Sequence, residues 1–219
     1  MKGILWVLKT GAPWVDLPQR CPSSSTCWRR LVIWEEKGIW LNVWQTFLGL
    51  LDEKHLLDWK EFFIDGSFSP AKKGKGTKWM VATDGKGIPV ALHFESASRA
   101  EIKLLEPTLA KVRVPQKGPG RPKNKPVRVI ADRGYDSAPH RRRLQARGID
   151  LIVPYRSSSK KRTFEDGRKL RRYRKRYKVE RSISWFGNYR RLLNRFEHKL
   201  LAFSAFFHVA CIMIVSRWF

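Results

Sequence analysis

The sequence predicts an α/β fold, in which a mixed five-stranded sheet is flanked by helices and follows a small helical amino-terminal module. Two short apolar runs predict buried strands, and each delivers an aspartate, Asp65 or Asp132, to a turn with a nearby glycine. The pattern also changes near residue 59, where helical spacing of apolar residues gives way to short strands and turns. We therefore expect two units, a helical module over residues 1–58 and an α/β domain over residues 59–219.

The amino-terminal module is predicted to contain three helices. The first is short and ends near Gly11, the second begins near residue 25, and the third covers Trp40–Leu51. The second helix would expose Arg29 and Arg30. Such an arrangement is compatible with a helix-turn-helix DNA reader, and equally with a helical subdomain that only packs against the core.

The α/β domain is predicted to begin with three antiparallel strands. In chain order we expect strands Phe62–Ser67, Thr77–Thr83 and Ile88–Glu95, a helix over Glu101–Val112, a strand over Val127–Ala131, a helix from Ala138 that Ser137 caps, and a strand over Asp150–Pro154. This order is that of a ribonuclease H-like fold, whose helical crossovers bring the later strands parallel to the first. The first and fourth strands would then be neighbours, with Asp65 beside Asp132.

The carboxy-terminal region is predicted to be helical. Tyr189–Phe207 has amphipathic spacing, in which Arg190, Arg191 and Arg195 face outward and four apolar residues face inward: Leu192, Leu193, Phe196 and Leu200. The apolar run Leu200–Val215 predicts a buried helix. A membrane span is the alternative, but the run is shorter than the roughly 20 residues that a bilayer requires, and it contains His208.

The amino-acid composition indicates which classes of function suit this chain. Lys and Arg number 45 against 19 acidic residues, so the formal net charge is +26. A folded protein with this charge is expected to meet a polyanion, nucleic acid first and an anionic membrane surface second. Ten tryptophans and twelve phenylalanines argue against a disordered basic tail. The three cysteines form neither a disulfide framework nor a zinc pair, which is typical of a reducing cytosol.

Three carboxylates stand out in this basic chain. Asp65 and Asp132 end neighbouring strands, and Glu180 lies at the start of a predicted helix among arginines. Taken singly, Asp132 could cap a turn and Glu180 could form ion pairs. Taken together, they form a set of oxygen ligands suited to hard divalent cations.

Five stretches carry a family resemblance: Ile4–Pro18, Ile64–Gly76 (IDGSFSPAKKGKG), Ile130–Ser137 (IADRGYDS), the spacing Y-x2-R-x3-E at Tyr173, Arg176 and Glu180, and Trp185–Leu192 (WFGNYRRL). With these motifs the chain resembles the DDE transposases of the insertion sequence 5 group, within the insertion sequence 4 superfamily. The resemblance covers nearly the whole chain and independently implies a ribonuclease H-like fold. In that family a few dozen further residues usually precede the amino-terminal module.

The resemblance implies DNA strand cleavage and transfer with two divalent metal ions, Mg²⁺ or alternatively Mn²⁺. Asp65 would bridge both ions, and Asp132 and Glu180 would each complete one ion's shell. One ion would activate water, or later the freed 3′ hydroxyl, and the other would stabilise the leaving 3′ oxygen. The implied partners are double-stranded terminal inverted repeats, target DNA and a second copy of the chain, in the bacterial cytosol at the nucleoid and without a membrane.

The resemblance also implies that Tyr173 and Arg176 contact the phosphodiester near the cleaved bond. The family pattern has a lysine seven residues beyond the glutamate, where this chain has Gly187. The role of that lysine in binding DNA is therefore either vacant or taken by Arg190 or Arg191.

Other basic residues are candidates from their positions in the sequence. Lys73 and Lys75 follow the first aspartate in a basic loop, which either touches a phosphate backbone or is a solvated turn. Arg121, in Gly-Arg-Pro, either enters an A·T minor groove or brushes DNA non-specifically from a mobile loop. Arg181 ends a run of twelve cations that lead to the third acid: Lys160, Lys161, Arg162, Arg168, Lys169, Arg171, Arg172, Arg174, Lys175, Arg176, Lys178 and Arg181.

Two other function classes remain open from sequence. A nuclease or Holliday-junction resolvase on the same fold would use the same acids but would not join strands. A non-catalytic basic DNA-binding remnant would bind without cleaving. The tryptophan-rich amino-terminal module and Trp185–Leu192 favour the transposase, and intact motifs at all three acids favour a working catalytic core.

Overall fold

A mixed five-stranded sheet forms the centre of the fold, in the order β3-β2-β1-β4-β5. The strands are β1 (Glu61–Ser69), β2 (Thr77–Thr83), β3 (Pro89–Ser96), β4 (Arg128–Ile130) and β5 (Asp150–Ile152). β2 pairs antiparallel with both β1 and β3, whereas β4 runs parallel to β1 and to β5. The predicted ribonuclease H-like topology is confirmed.

The computed structural model describes residues 1–72, 74–155 and 167–219. Its helices are α1 (Lys2–Thr10), α2 (Ser24–Glu36), α3 (Ile39–Glu53), α4 (Leu105–Ala110), α5 (Ala138–Ala146), α6 (Gly167–Leu170), α7 (Tyr177–Gly187), α8 (Arg190–Leu193) and α9 (Leu200–Val215). Short 3₁₀ turns cover Trp14–Asp16, Glu101–Leu104, Arg133–Tyr135, Arg171–Arg176 and Ser216–Trp218. The Ser137 cap of α5 is confirmed, whereas α2 is capped by Ser23 and not by Ser25 or Thr26, the two caps that the sequence predicts.

α9 is the central helix of the core. With the turn that follows, it is long and apolar enough to cross a membrane, but most of it is buried inside the protein. Phe207 contacts the rings of Trp79 on β2 and Phe94 on β3, and Trp44 of α3 lies over His208. The predicted buried carboxy-terminal helix is therefore confirmed.

The amino-terminal helices close over the other side of α9. α2 and α3 both pack against it, and α1 packs against α8. Buried residues of the amino-terminal module and of the sheet therefore belong to one continuous hydrophobic core. Arg29 and Arg30 are exposed on α2. The boundary at residues 58 and 59 and DNA reading by α2 stay predictions.

The prediction of one amphipathic helix over Tyr189–Phe207 is wrong. α8 ends at Leu193, and residues 194–199 form a separate segment before α9. In this segment the backbone of Arg195 exchanges hydrogen bonds with the backbone beyond β1, donating to Pro70 and accepting from Lys72. The pairing draws the chain out of a helical path and leaves Leu193, Phe196 and Leu200 exposed.

The predicted helix over Glu101–Val112 is shorter than expected. Residues Glu101–Leu104 form a 3₁₀ turn, and the α-helix begins at Leu105. Pro107 explains this start, because a residue without a backbone N–H fits only the first turn of an α-helix.

Candidate active site

The parallel pairing of β1 and β4 brings two predicted acids to one edge of the sheet. Phe63 is paired with Ile130, and each aspartate lies two residues further along the chain. Asp65 remains within β1, while Asp132 follows β4 and begins the 3₁₀ turn Arg133–Tyr135. The carboxyl ends of parallel strands are the usual position of an α/β active site.

The third acid comes from α7. The buried face of this helix carries Val179, Ser182 and Phe186, at a spacing of three and four residues. Glu180 lies outside that face in the first helical turn, where the helix dipole favours a negative charge. Its side chain is 52% exposed, compared with 18% for Asp65.

Arg176 and Tyr173 connect the three acids. The Arg176 Nη1 atom donates to Asp65 Oδ2 at 2.6 Å, and its Nη2 atom donates to Glu180 Oε1. The hydroxyl of Tyr173 donates to Asp132 Oδ1 at 2.9 Å. The tyrosine, arginine and glutamate of the Y-x2-R-x3-E spacing therefore lie at one place with Asp65 and Asp132.

The two aspartates experience opposite electrostatic environments. Burial raises the pKa of Asp65 above its ordinary value, although the Gly66 amide and Arg176 oppose this effect. Burial alone would also raise the pKa of Asp132. Hydrogen bonds from the Arg133 amide and the Tyr173 hydroxyl, with the charge of Arg176, instead lower it below its ordinary value.

Glu61 anchors the segment that carries Tyr173 and Arg176. This carboxylate is buried and accepts hydrogen bonds from Arg172 and from Lys175, the latter at 3.2 Å. Burial alone would raise the pKa of Glu61, but these two cations lower it. Glu61 and Asp65 lie on the same side of β1, because alternate residues of a strand share a face. Sequence reasoning missed Glu61, since its role depends on a contact across more than a hundred residues of chain.

Glu101 is a further acid that sequence reasoning missed. It accepts a hydrogen bond from the hydroxyl of Tyr135 at 3.3 Å and pairs with Lys78 at 3.5 Å. A usable signal existed, because Glu101 shortly follows β3, which runs parallel to β1 and ends at the same edge of the sheet.

Comparison with known proteins agrees with this geometry. Residues 54–215 match the family described as "Transposase DDE domain". The chain belongs to the DDE transposase family. Residues 1–44 match a second family, described as "Putative transposase of IS4/5 family", which places the chain in the IS4/IS5 group.

Two curated relatives from Burkholderia cepacia match parts of the chain. The "Putative transposase for insertion sequence element IS402" is 36% identical over 139 residues, which cover 64% of this chain and 62% of the relative. The "Insertion element IS402 uncharacterized 16.2 kDa protein" is 41% identical over 69 residues, which cover 31% of this chain and 47% of the relative. The chain thus spans about three-fifths of the first relative and about half of the second.

The DDE transposase family implies divalent metal ions, and the residues present fit them in chemistry. Asp65, Asp132 and Glu180 offer only carboxylate oxygens, which Mg²⁺ and Mn²⁺ accept. Within the described ranges, no three acidic, histidine or cysteine side chains already stand close enough to hold an ion. A cation nevertheless lies between two of the acids, because the Arg176 guanidinium joins Asp65 to Glu180.

The predicted DNA-binding residues beyond Tyr173 and Arg176 fall into three groups. Four are exposed: Lys75, Arg121, Arg181 and Arg190. Arg181 also donates to the Lys86 carbonyl at 2.7 Å and lies over the ring of Trp185. Lys73 lies outside the described residues, as do Lys160, Lys161 and Arg162 of the cation run.

Arg191 forms the third group, because it is buried rather than outward-facing. Its guanidinium pairs with the buried carboxylate of Glu197 at 2.6 Å and donates to the Gly11 and Ala12 carbonyls. These contacts bind α8 to the end of α1. We therefore assign Arg191 a structural role, and its neighbour Arg190 is the one that faces solvent.

Proposed function

We propose that the chain cleaves DNA strands at the ends of an insertion sequence and transfers them to target DNA. The observation that carries this proposal is the convergence of Asp65, Asp132 and Glu180 on the Tyr173–Arg176 pair. Three acids from two parallel strands and one helix supply oxygen ligands, and two hydrogen-bond donors stand among them. Such a combination suits a phosphodiester and the cations that offset its charge.

Asp65, Asp132 and Glu180 would hold two Mg²⁺ ions, with Mn²⁺ as an alternative. When bound, the ions would supply an activated oxygen nucleophile and would offset negative charge on the reacting phosphate. During cleavage, water forms the new bond to phosphorus while the bond to the 3′ oxygen breaks. During transfer, the freed 3′ hydroxyl attacks a phosphodiester of the target.

Arg176 and Tyr173 would bind the phosphate group beside the reacting bond. The two Nη atoms of Arg176 donate to carboxylates of Asp65 and Glu180. Phosphate oxygens accept the same fork of N–H donors, so we propose that Arg176 exchanges its carboxylate partners for phosphate when DNA and metal enter. Tyr173 retains a protonated hydroxyl, because burial and the neighbouring Asp132 raise the pKa of its phenol.

The basic surface would bind the duplex on both sides of the reacting bond. We propose Lys75, Arg121, Arg181 and Arg190 as contacts to the phosphate backbone, supported by their exposure. Two transposon ends must be cut together, so we further propose a homodimer that acts at the chromosome. Light scattering of the protein with and without end DNA measures whether the complex contains two copies.

Replacing Asp65 by asparagine separates DNA binding from chemistry. Asp65→Asn removes one ligand charge from the metal site and should reduce Mg²⁺-dependent cleavage of a labelled terminal repeat to background. Binding of the same duplex, measured by fluorescence anisotropy, should persist, because the cationic surface is unchanged. Asp16→Asn is the control, since Asp16 is an exposed acid on the turn after α1 and should keep full cleavage. Full cleavage by Asp65→Asn would refute the proposed site.

A further inference from the structure

Glu101 contacts the residue after Asp65 and the third residue after Asp132. Its carboxylate accepts from the hydroxyl of Tyr135, which ends the 3₁₀ turn that Asp132 begins. It also lies against Gly66, the residue after Asp65: a Cβ atom built there would stand 3.0 Å from Glu101 Cδ and 2.8 Å from Met80 Sδ. Glu101 therefore lies between β1 and the turn after β4, with 40% of its side chain exposed.

The contact with Gly66 places Glu101 behind the candidate metal site. Successive residues of a strand point to opposite faces, so Gly66 is open toward the face opposite to Asp65. Asp65 meets Arg176 on its own face, where Glu180 also lies. Glu101 thus supports the backbone of β1 beside Gly66, near enough to Asp65 that its charge contributes to the raised pKa of that aspartate.

The surroundings of Glu101 favour a geometric role over a role as a further metal ligand. Lys78, on the same side of the sheet as Gly66, pairs with the carboxylate at 3.5 Å and partly offsets its charge. The Tyr135 side chain is buried, with 1% of its surface exposed. A buried phenol without an acceptor is costly, so removal of Glu101 should displace the turn that begins at Asp132.

We propose that Glu101 is a positioning residue that acts through Tyr135 and fixes the separation of Asp65 from Asp132. This inference rests on the proposed function, because the separation matters only if the two aspartates share metal ions. Groups behind the ligands of a metal site typically change metal affinity by 10–100-fold when they are mutated. A displacement of about 1 Å at the reacting groups can reduce a rate on the order of 100-fold.

The test compares Glu101→Ala, Glu101→Gln, Tyr135→Phe and the double variant Glu101→Ala with Tyr135→Phe. Three quantities are measured for each full-length protein: Mn²⁺ affinity from the electron paramagnetic resonance signal of free Mn²⁺, cleavage of a labelled terminal repeat, and the melting temperature. Glu106→Ala is the matched control, because Glu106 lies in the first turn of α4 and pairs with His140 and Arg143 instead.

Glu101→Ala and Tyr135→Phe should each weaken Mn²⁺ binding roughly tenfold and slow cleavage by up to about 100-fold. The double variant should be no more defective in Mn²⁺ affinity and cleavage than the more defective of the two single variants, because both changes remove the same contact. Glu101→Gln keeps an acceptor oxygen for Tyr135 and should restore affinity and rate, which loss of a ligand charge would not allow. Glu106→Ala should match wild type in Mn²⁺ affinity.

Two results would overturn the inference alone, with wild-type protein still active. In the first, Glu101→Gln is as defective as Glu101→Ala, while Tyr135→Phe is normal. This result would mean that the charge of Glu101, and not its contact with Tyr135, supports metal binding. The other is wild-type Mn²⁺ affinity and cleavage in all the variants. A wild-type protein that neither binds Mn²⁺ nor cleaves would instead refute the proposed function, and the inference with it.

Discussion

Arg176 holds a positive charge between two acids that would otherwise repel each other. Its partners Asp65 and Glu180 lie on a strand and on a helix that are separated by more than a hundred residues of sequence. The side chains of Arg176 and Asp65 are about one-fifth exposed, so this pair is only partly screened by water. Arg176 thereby joins the two acids through its two Nη atoms.

Arg190 and Arg191 show how adjacent arginines can have opposite roles. Arg190 is exposed, whereas Arg191 is buried in an ion pair with Glu197 and stacks over Phe196 and Phe206. A sequence pattern of two consecutive arginines cannot distinguish them, because the difference arises from the break between α8 and α9.

This difference predicts separable effects on DNA binding and stability. Arg190→Ala should reduce the slope of log affinity against log salt by about 0.9, one phosphate contact, and leave stability unchanged. Arg191→Met should leave the slope unchanged and lower the free energy of unfolding by about 3 kcal/mol, because Glu197 loses its buried partner. Salt titrations of DNA affinity and urea denaturation measure the two quantities. A reduced salt slope for Arg191→Met together with unchanged stability would contradict the structural role of Arg191.

At the scale of elements, the turn between β2 and β3 supports the helix that carries Glu180. Lys178, Arg181 and Ser182 of α7 donate side-chain hydrogen bonds to the carbonyls of Gly85, Lys86 and Gly87 respectively. The turn itself is fixed by Asp84, which is fully buried and accepts from the amides of Asp58, Lys86 and Ile88. Glu180 is therefore positioned from the sheet through this turn.

Replacing Gly87 by alanine tests whether the turn between β2 and β3 supports α7. Gly87 has φ +92°, and an added Cβ would lie 3.1 Å from Ser182 Oγ and 3.2 Å from the Lys178 carbonyl. Gly87→Ala should therefore combine backbone strain of about 1–3 kcal/mol with displacement of α7 and a loss of cleavage. Gly118→Ala is the matched control, because Gly118 has φ +96° and no neighbouring atom within 4 Å. Equal cleavage by both variants would argue against the support of α7 by the turn.

The strands and the positions of the three acids were predictable because their signals are local. An apolar run that ends in Asp and Gly identifies a strand and its end, and Glu180 stands out as an acid at the start of a predicted helix among arginines. The break after α8 was not predictable, because residues 194–199 pair with the backbone beyond β1. Apolar spacing continues through that break, so the pattern indicated one helix.

The supporting residues of the site were harder to predict than the acids themselves. Glu61 acquires its role from Arg172 and Lys175, which lie more than a hundred residues further along the chain. Glu101 could have been identified from topology, because it follows a third strand that ends at the same edge of the sheet. Its contact with Tyr135 depends on packing between two 3₁₀ turns, which no periodicity indicates.

At the scale of the whole molecule, the positive net charge and the hydrophobic core have different roles. A net charge of +26 favours contact with a polyanion, while the continuous core of sheet, α9 and amino-terminal helices holds the chain together against its own repulsion. If six phosphates are neutralised, log affinity for DNA should fall with log salt at a slope of roughly −5. Such binding alone would not distinguish a transposase from an inactive DNA-binding protein.

The decisive measurement is strand cleavage and joining with Mg²⁺ on a labelled duplex that carries the inverted repeat flanking the gene for this chain. Wild-type protein is compared with Glu180→Gln, which keeps the size of the side chain and removes one ligand charge. We expect nicking and joining by wild type, and neither by Glu180→Gln, with DNA binding retained in both. Cleavage without joining would indicate a nuclease. Salt-sensitive binding with no cleavage by either protein would contradict the account.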